Sequence, residues 1–134
     1  MDKKIVHVVA CALVDVDGRV LLAKRPKGKS MADLWEFPGG KIEAGETPET
    51  AIIRELEEEL AIDTKSTCLA PLSFVSHEYD DFHLVMLLYV CRRWWGTPKP
   101  VEASELAWVR APRLRDYDMP AADKPLIAAL QDLL

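Results

Sequence analysis

Three glutamates at helical spacing are the residues of this chain that point most directly to chemistry. Glu55, Glu58 and Glu59 lie within the segment GGKIEAGETPETAIIRELEEELAI. Positions i, i+3 and i+4 share one face of a helix, where three carboxylates repel each other. Oxygen-rich clusters of this kind suit Mg²⁺ or Mn²⁺. The spacing therefore predicts a divalent-cation site, and the alternative is a solvated acidic helix face.

The residues around these glutamates extend the pattern into a motif that resembles the box of the Nudix hydrolase family. Beyond the glutamates, the matching positions are Gly40, Glu46, Arg54, Leu56 and Ile62. The departure is Ala61, where the family pattern has glycine at the end of the helix. A left-handed residue is common there, so alanine predicts local backbone strain and no loss of a ligand.

The resemblance implies how these residues act. It assigns Mg²⁺ binding, with Mn²⁺ as a substitute, to the helix carboxylates and one backbone carbonyl: Glu55, Glu58, Glu59 and Gly39 or Gly40. Arg54 is expected to orient the neighbouring glutamates through charge-assisted hydrogen bonds. Glu46 either has the structural role of tying the loop to the start of the helix or takes part in the chemistry.

Outside the motif, most of the chain resembles the MutT branch of the family, the 8-oxo-dGTP diphosphatases. By position, Glu102 corresponds to a further metal-binding or base-activating glutamate, and the alternative is a solvated loop glutamate. Arg25 corresponds to an arginine that contacts the nucleotide. Phe37 or Trp35 could stack on a base, although Trp35 is expected in the core.

Asp123 stands where MutT-like proteins have an asparagine that binds the purine. Asparagine offers a donor and an acceptor, whereas an ionised aspartate only accepts. To match O6 and the protonated N7 of 8-oxoguanine, or N3 and N4 of cytosine, Asp123 must be protonated. Ionised, it could bind only the N1–H and N2–H₂ edge of a guanine. Asp123 either contacts the base, caps the last helix, or does both.

The pattern of apolar residues predicts the elements that must position these groups. Residues 6–16 and 20–23 are expected to form an antiparallel hairpin around Asp17-Gly18, and 34–38 a short strand before a Gly39-Gly40 turn. Thr47 is a plausible N-cap and Pro48 a first helical residue. Strands are expected at 68–78, 82–94 and 106–109, and helices at 112–117 and 121–133. This order predicts an α/β or α+β fold, and the resemblance implies an α/β/α sandwich around a mixed sheet.

Composition narrows the class of protein. The 134 residues fit one domain, 1–134, and their net charge of −5 disfavours duplex nucleic acid as a partner. No apolar run is long enough for a membrane span, and three cysteines without ligand spacing indicate a reducing cytoplasm. We expect a cytoplasmic monomer that acts on a small nucleotide.

Three functions are consistent with the sequence. The first is a Mg²⁺-dependent hydrolase that converts 8-oxo-dGTP to monophosphate and pyrophosphate, and so protects the nucleotide pool and avoids mutation. The second is a CTP or 5-methyl-dCTP pyrophosphohydrolase, since such enzymes have aspartate at the position of Asp123. The third is a non-catalytic nucleotide-binding module, which the complete set of helix glutamates disfavours.

Overall fold

The computed structural model describes residues 3–134. These residues form seven strands and two α-helices, in the order β1 Lys4–Leu13, β2 Arg19–Lys24, β3 Trp35–Glu36, β4 Gly39–Lys41, α1 Pro48–Leu60, β5 Leu69–Glu78, β6 Phe82–Cys91, β7 Glu105–Arg110 and α2 Lys124–Leu133. Two short 3₁₀ helices, Ser66–Cys68 and Ala111–Asp116, connect strands to their neighbours. The expected elements are therefore present, with ends shifted by a few residues.

The larger sheet has the strand order β4-β1-β6-β5 and is mixed, because β1 and β6 run parallel while the other pairs are antiparallel. Side chains of β1 alternate between two cores. Val9, Cys11 and Leu13 pack with the buried face of α1, whereas Ala10 and Ala12 pack on the side of α2. Residues 9–13 of β1 are buried on both faces, which explains the unbroken apolar sequence of this half of the strand. The fold is the expected α/β/α sandwich.

The predicted hairpin of β1 with β2 is wrong. The second sheet has the order β3-β2-β7, and only an isolated bridge between Val14 and Val20 joins the two predicted hairpin strands. The turn itself forms, with the Gly18 N–H donating to the Asp15 carbonyl oxygen. The chain therefore passes from one sheet to the other at this turn, since long-range pairing with β6 and β7 outweighs local pairing.

Helix α1 begins and ends as its sequence predicts. The Thr47 hydroxyl accepts a hydrogen bond from the Thr50 N–H at 3.1 Å, and Pro48 is the first helical residue. At the other end Ala61 adopts the left-handed conformation, with φ 57° and ψ 36°. This conformation costs a non-glycine residue about 1–2 kcal/mol. The strain is confined to the end of the helix, so the glutamates of α1 keep their positions.

No helix among residues 3–134 is long and apolar enough to cross a membrane.

Candidate active site

The glutamates of α1 lie on the helix face opposite its buried stripe of Ala51, Ile52, Leu56 and Leu60. Their environments differ. The Glu55 side chain is 13% exposed and that of Glu58 is 52% exposed. Glu59 accepts a hydrogen bond from the Gly39 N–H at 3.2 Å. The helix therefore presents two enclosed carboxylates and one that reaches into solvent.

Arg54 holds this group of side chains together. Its guanidinium donates to both carboxylate oxygens of Glu46 at 2.7 and 2.9 Å and to Glu55 at 2.7 Å. It also donates to Glu58 at 3.4 Å and to the Lys41 carbonyl oxygen at 3.1 Å. The fork geometry of arginine suits such multidentate pairing. The orienting role expected for Arg54 thus rests on direct contacts in the structure.

Glu46 has the geometry of a structural residue. Besides binding Arg54, its carboxylate accepts a hydrogen bond from the Glu43 N–H at 2.9 Å. Hydrogen bonds from Arg54 and then from Glu43 lower the pKa of Glu46 to about 2. Glu46 is therefore ionised at neutral pH and ties the 43–46 loop to α1. These contacts favour the structural alternative.

Gly39 and Gly40 form a strand, β4, where the sequence predicted a turn. Both lie too close to their neighbours for a side chain. A Cβ on Gly39 would lie 2.0 Å from the Val9 carbonyl oxygen, and one on Gly40 would lie 2.6 Å from Cδ of Glu55. Pairing of β4 with β1 thus brings backbone directly against the carboxylates of α1.

Gly40→Ala is expected to damage activity more than stability. The added methyl group meets the Glu55 carboxylate, a flexible side chain that can move aside, so unfolding by heat should change little. Small displacements of catalytic groups are costly, and we expect kcat to fall about fivefold. Steady-state kinetics and thermal unfolding, measured on the same preparation, check this. An unchanged kcat would show that the position of Glu55 against Gly40 has no part in catalysis.

The electrostatics of Glu59 fit a divalent cation. Burial raises its pKa well above the ordinary glutamate value, and the neighbouring Glu55 carboxylate raises it further. Two carboxylates in a half-enclosed space therefore lack a compensating positive charge beyond Arg54. Within residues 3–134, no cluster of three or more His, Cys, Asp or Glu side chains is arranged to hold a metal by itself. Mg²⁺ usually binds one or two carboxylates and completes its shell with water and substrate phosphate, which suits this pair.

A cavity of about 210 Å³ brings Asp123 to the glutamate site. Its lining includes Arg25, Phe37, Glu59 and Asp123. Phe37 is 4% exposed and belongs to the hydrophobic core, so only part of its ring faces the cavity. Three expected nucleotide contacts thus line the same cavity as three of the expected metal ligands, which are Gly39, Gly40 and Glu59.

Asp123 does not cap α2 with its side chain. It precedes the helix, but its carboxylate makes no capping hydrogen bond. The residue is 7% exposed. Burial and then the Glu36 carboxylate raise its pKa, Arg25 opposes both, and the resulting pKa is about 7. The structure therefore disfavours the helix cap and favours the base contact as the role of Asp123. With a pKa of about 7, its carboxyl is partly protonated at neutral pH.

Glu102 lines a second cavity, of about 130 Å³, on the other side of Glu59. It lies on the exposed loop before β7. Arg25, Glu36 and Glu59 line both cavities. The two cavities therefore share a wall formed by these three side chains, with Asp123 lining one cavity and Glu102 the other.

Glu36 is the residue of the site that sequence reasoning missed. It accepts two hydrogen bonds from Arg25, both at 3.1 Å, and its pKa is raised by burial against the lowering effect of that arginine. A signal existed in the sequence, because a charged residue stands between Trp35 and Phe37 in a short apolar strand. Strand alternation places Glu36 opposite those aromatic side chains.

Comparisons with known proteins agree with this geometry. A family model described as "NUDIX domain" matches residues 9–129. An 8-oxo-dGTP diphosphatase of Proteus vulgaris is 42% identical over 94 residues, which are 70% of this chain and 82% of that protein. A CTP pyrophosphohydrolase of Escherichia coli K12 is 35% identical over 133 residues, covering 97% of this chain and 94% of that protein.

Solved structures agree on the fold. The solution structure of the Escherichia coli ORF135 protein aligns with a TM-score of 0.86 at 32% identity, over 98% of this chain and 91% of that one.

Proposed function

Because the chain belongs to the NUDIX domain family, we propose that it hydrolyses nucleoside triphosphates to monophosphate and pyrophosphate, with 8-oxo-dGTP as its principal substrate. The observation that carries this proposal is the position of Glu59 between two cavities. With a base beside Asp123, the phosphates would extend past Glu59 into the cavity of Glu102. The protein is a Nudix hydrolase, and relatives named 8-oxo-dGTP diphosphatase match most of its length.

The divalent cation belongs to the glutamate face. Mg²⁺, with Mn²⁺ as a substitute, would be held by the carboxylates of Glu55, Glu58 and Glu59. The carbonyl oxygen of Gly39 or Gly40 would add a further ligand. Such a cation neutralises phosphate charge and activates water. The protein itself supplies the alignment, since Arg54 holds Glu55 and Glu58 in place.

Hydrolysis also needs an acceptor for the proton of the attacking water. The water oxygen forms a bond to phosphorus, the bond to the leaving pyrophosphate oxygen breaks, and the proton passes to a carboxylate. Glu102 is a candidate acceptor, because it faces the cavity that Glu59 also lines.

Base recognition is assigned to Asp123, Arg25 and Phe37. A protonated Asp123 donates to O6 of 8-oxoguanine and accepts from its N7–H, a pair that ordinary guanine lacks because its N7 is unprotonated. Arg25 is fixed by Glu36 at the boundary of the two cavities. Phe37 offers part of an aromatic face to the base.

A CTP or 5-methyl-dCTP pyrophosphohydrolase is the second candidate. Asp123 favours it, because a protonated carboxyl equally donates to N3 and accepts from N4–H₂ of cytosine. The similarity to the CTP pyrophosphohydrolase of Escherichia coli also favours this candidate. A screen of 8-oxo-dGTP, dGTP, CTP and 5-methyl-dCTP with Mg²⁺ decides between them by kcat/KM. The highest value for a cytosine nucleotide would replace 8-oxo-dGTP as the substrate, and no turnover of any nucleotide would contradict the proposed function.

The first product is expected to be pyrophosphate. Membership of the Nudix family motivates this expectation. Attack of water at the first phosphorus, with pyrophosphate leaving, or at the second, with the monophosphate leaving, gives the same two products. Direct ³¹P NMR of the reaction, without added pyrophosphatase, follows this. Orthophosphate and a nucleoside diphosphate as the first products would place the attack at the terminal phosphorus instead.

The cellular role proposed is sanitation of the nucleotide pool by a cytoplasmic monomer. Expression of the chain in a mutator strain that lacks its own 8-oxo-dGTP diphosphatase should lower the spontaneous mutation frequency. A matched vector that carries Glu59→Gln serves as the control. Equal frequencies from the two vectors would contradict this role without affecting the chemistry.

A further inference from the structure

The cavity next to Glu102 contains three basic side chains, of which only Arg25 has a role in the chemistry described so far. Along with Glu59 and Glu102, its lining includes Lys24, Arg25 and Lys29. These cations come from β2 and the loop that follows it. A pocket of mixed charge beside a carboxylate site is suited to phosphates, which need positive charge on the side away from the carboxylates.

Two of the three cations are already engaged. Arg25 pairs with both oxygens of Glu36. The Lys24 ammonium lies 5.7 Å from the centroid of the Trp35 ring, where the aromatic face attracts it. Within residues 3–134, Lys29 makes no hydrogen bond, ion pair or cation–π contact, so its charge remains available to a ligand.

The loop is held so that Lys29 stays at the cavity. The Arg25 Nε donates to the carbonyl oxygen of Ser30, the next residue after Lys29, at 2.7 Å. Backbone hydrogen bonds also join Arg25 to Asp33 and Leu34. Arg25 therefore fixes both ends of the turn that carries Lys29.

The order of the groups assigns a ligand to Lys29. The cavity of Asp123 and the cavity of Lys29 meet at Glu59. A nucleotide with its base beside Asp123 and its first phosphate beside Glu59 extends its outer phosphates toward Glu102 and Lys29. Resting on the proposed function, we propose that Lys29 binds the two outer phosphates, which leave as pyrophosphate, and thereby favours triphosphates over diphosphates.

Product inhibition tests this separately from catalysis. Lys29→Met removes the charge and keeps most of the aliphatic chain. We expect its inhibition constant for inorganic pyrophosphate to rise about tenfold, while that for the nucleoside monophosphate stays within about twofold. KM for the triphosphate should rise more than KM for the diphosphate. Lys29→Arg should recover most of the pyrophosphate affinity, because it restores the charge.

Lys27→Met is the matched control. Lys27 belongs to the same exposed loop and its loss changes net charge equally, but it lines a different, open groove with Asp33 and Glu105. The inhibition constant of Lys27→Met for pyrophosphate should equal that of the wild type. Thermal unfolding of both variants should match the wild type, since neither side chain is buried.

Two results would overturn the inference. One is a pyrophosphate inhibition constant in Lys29→Met within twofold of the wild type. The other is an equal rise for pyrophosphate and monophosphate, which indicates a general disturbance of the site. If the wild type releases pyrophosphate but Lys29→Met matches it, only the role of Lys29 fails. If the wild type hydrolyses no nucleoside triphosphate, the proposed function and this inference fail together.

Discussion

Glu59→Gln is expected to lower kcat by about a hundredfold or more, which corresponds to about 2.7 kcal/mol of lost transition-state stabilisation. Glu59 lies where the two cavities meet, and it accepts a hydrogen bond from the Gly39 N–H. Glutamine keeps the volume and the acceptor but removes the charge that would hold a cation. Single-turnover kinetics at saturating Mg²⁺ separate this loss from weaker nucleotide binding.

Glu57→Gln is the control for this prediction. Glu57 lies on the same helix but is exposed, and it lines neither cavity. Its loss changes net charge by the same amount, and kcat should stay within about twofold of the wild type. Turnover by Glu59→Gln near that of Glu57→Gln would remove Glu59 from the catalytic site.

Although Glu59→Gln is expected to lower kcat, it should raise the stability of the folded protein. The pKa of Glu59 is raised in the folded state by burial and by Glu55, so the folded protein favours the protonated form. The protonated Glu59 carboxyl makes its full contribution to stability below the pKa of glutamate in the unfolded chain, near 4.3. That contribution is lost as pH rises through the pKa of Glu59 in the folded protein. Without divalent ions, Glu59→Gln should therefore unfold at a higher temperature than the wild type at pH 8, and the difference should narrow toward pH 4.

Asp123→Asn is expected to change base selectivity by about tenfold or more. Above neutral pH the wild-type carboxyl, with a pKa of about 7, is mostly ionised and only accepts hydrogen bonds. It then binds the N1–H and N2–H₂ edge, which guanine and 8-oxoguanine share, so it no longer distinguishes the two bases. Asparagine always offers a donor and an acceptor, which match O6 and N7–H of 8-oxoguanine. At pH 8.5 the ratio of kcat/KM for 8-oxo-dGTP to that for dGTP should therefore rise about tenfold.

The pH dependence supplies an independent measurement. In the wild type, kcat/KM for 8-oxo-dGTP relative to dGTP should fall as pH rises through about 7, because the protonated donor is lost. In Asp123→Asn this trend should be absent. Ratios at each pH cancel the ionisations of the catalytic glutamates, which act on both nucleotides. Ratios that are the same in both proteins at every pH would exclude Asp123 from base recognition.

Local sequence was sufficient for the elements whose signals lie within a few residues. Thr47 and Pro48 determine where α1 begins, and the spacing of its apolar residues determines the buried face. The glutamates are then necessarily on the other side, since a helix has a fixed period. The acidic face of α1 was therefore predictable from this segment alone.

Pairing between distant strands was not predictable in the same way. The hairpin signal at Asp17-Gly18 is real, yet β1 pairs with β6 and β4, and β2 pairs with β7 and β3. A turn signal reports only local geometry. The partners of a strand depend on which segments bury its faces. For β1 and β2, the long partners β6 and β7 come from about seventy or more residues away in the sequence.

The sequence by itself determined the type of chemistry, because carboxylates at positions 55, 58 and 59 and the surrounding motif depend on spacing along one helix. Only the tertiary structure decided which residues share the proposed nucleotide site. Glu36 became part of it through Arg25, and Asp123 reached it from the other end of the chain. The pKa of Asp123 is likewise a tertiary property, since burial and the Glu36 carboxylate raise it. Desolvation and through-space charge depend on the packing of distant segments, which no local pattern records.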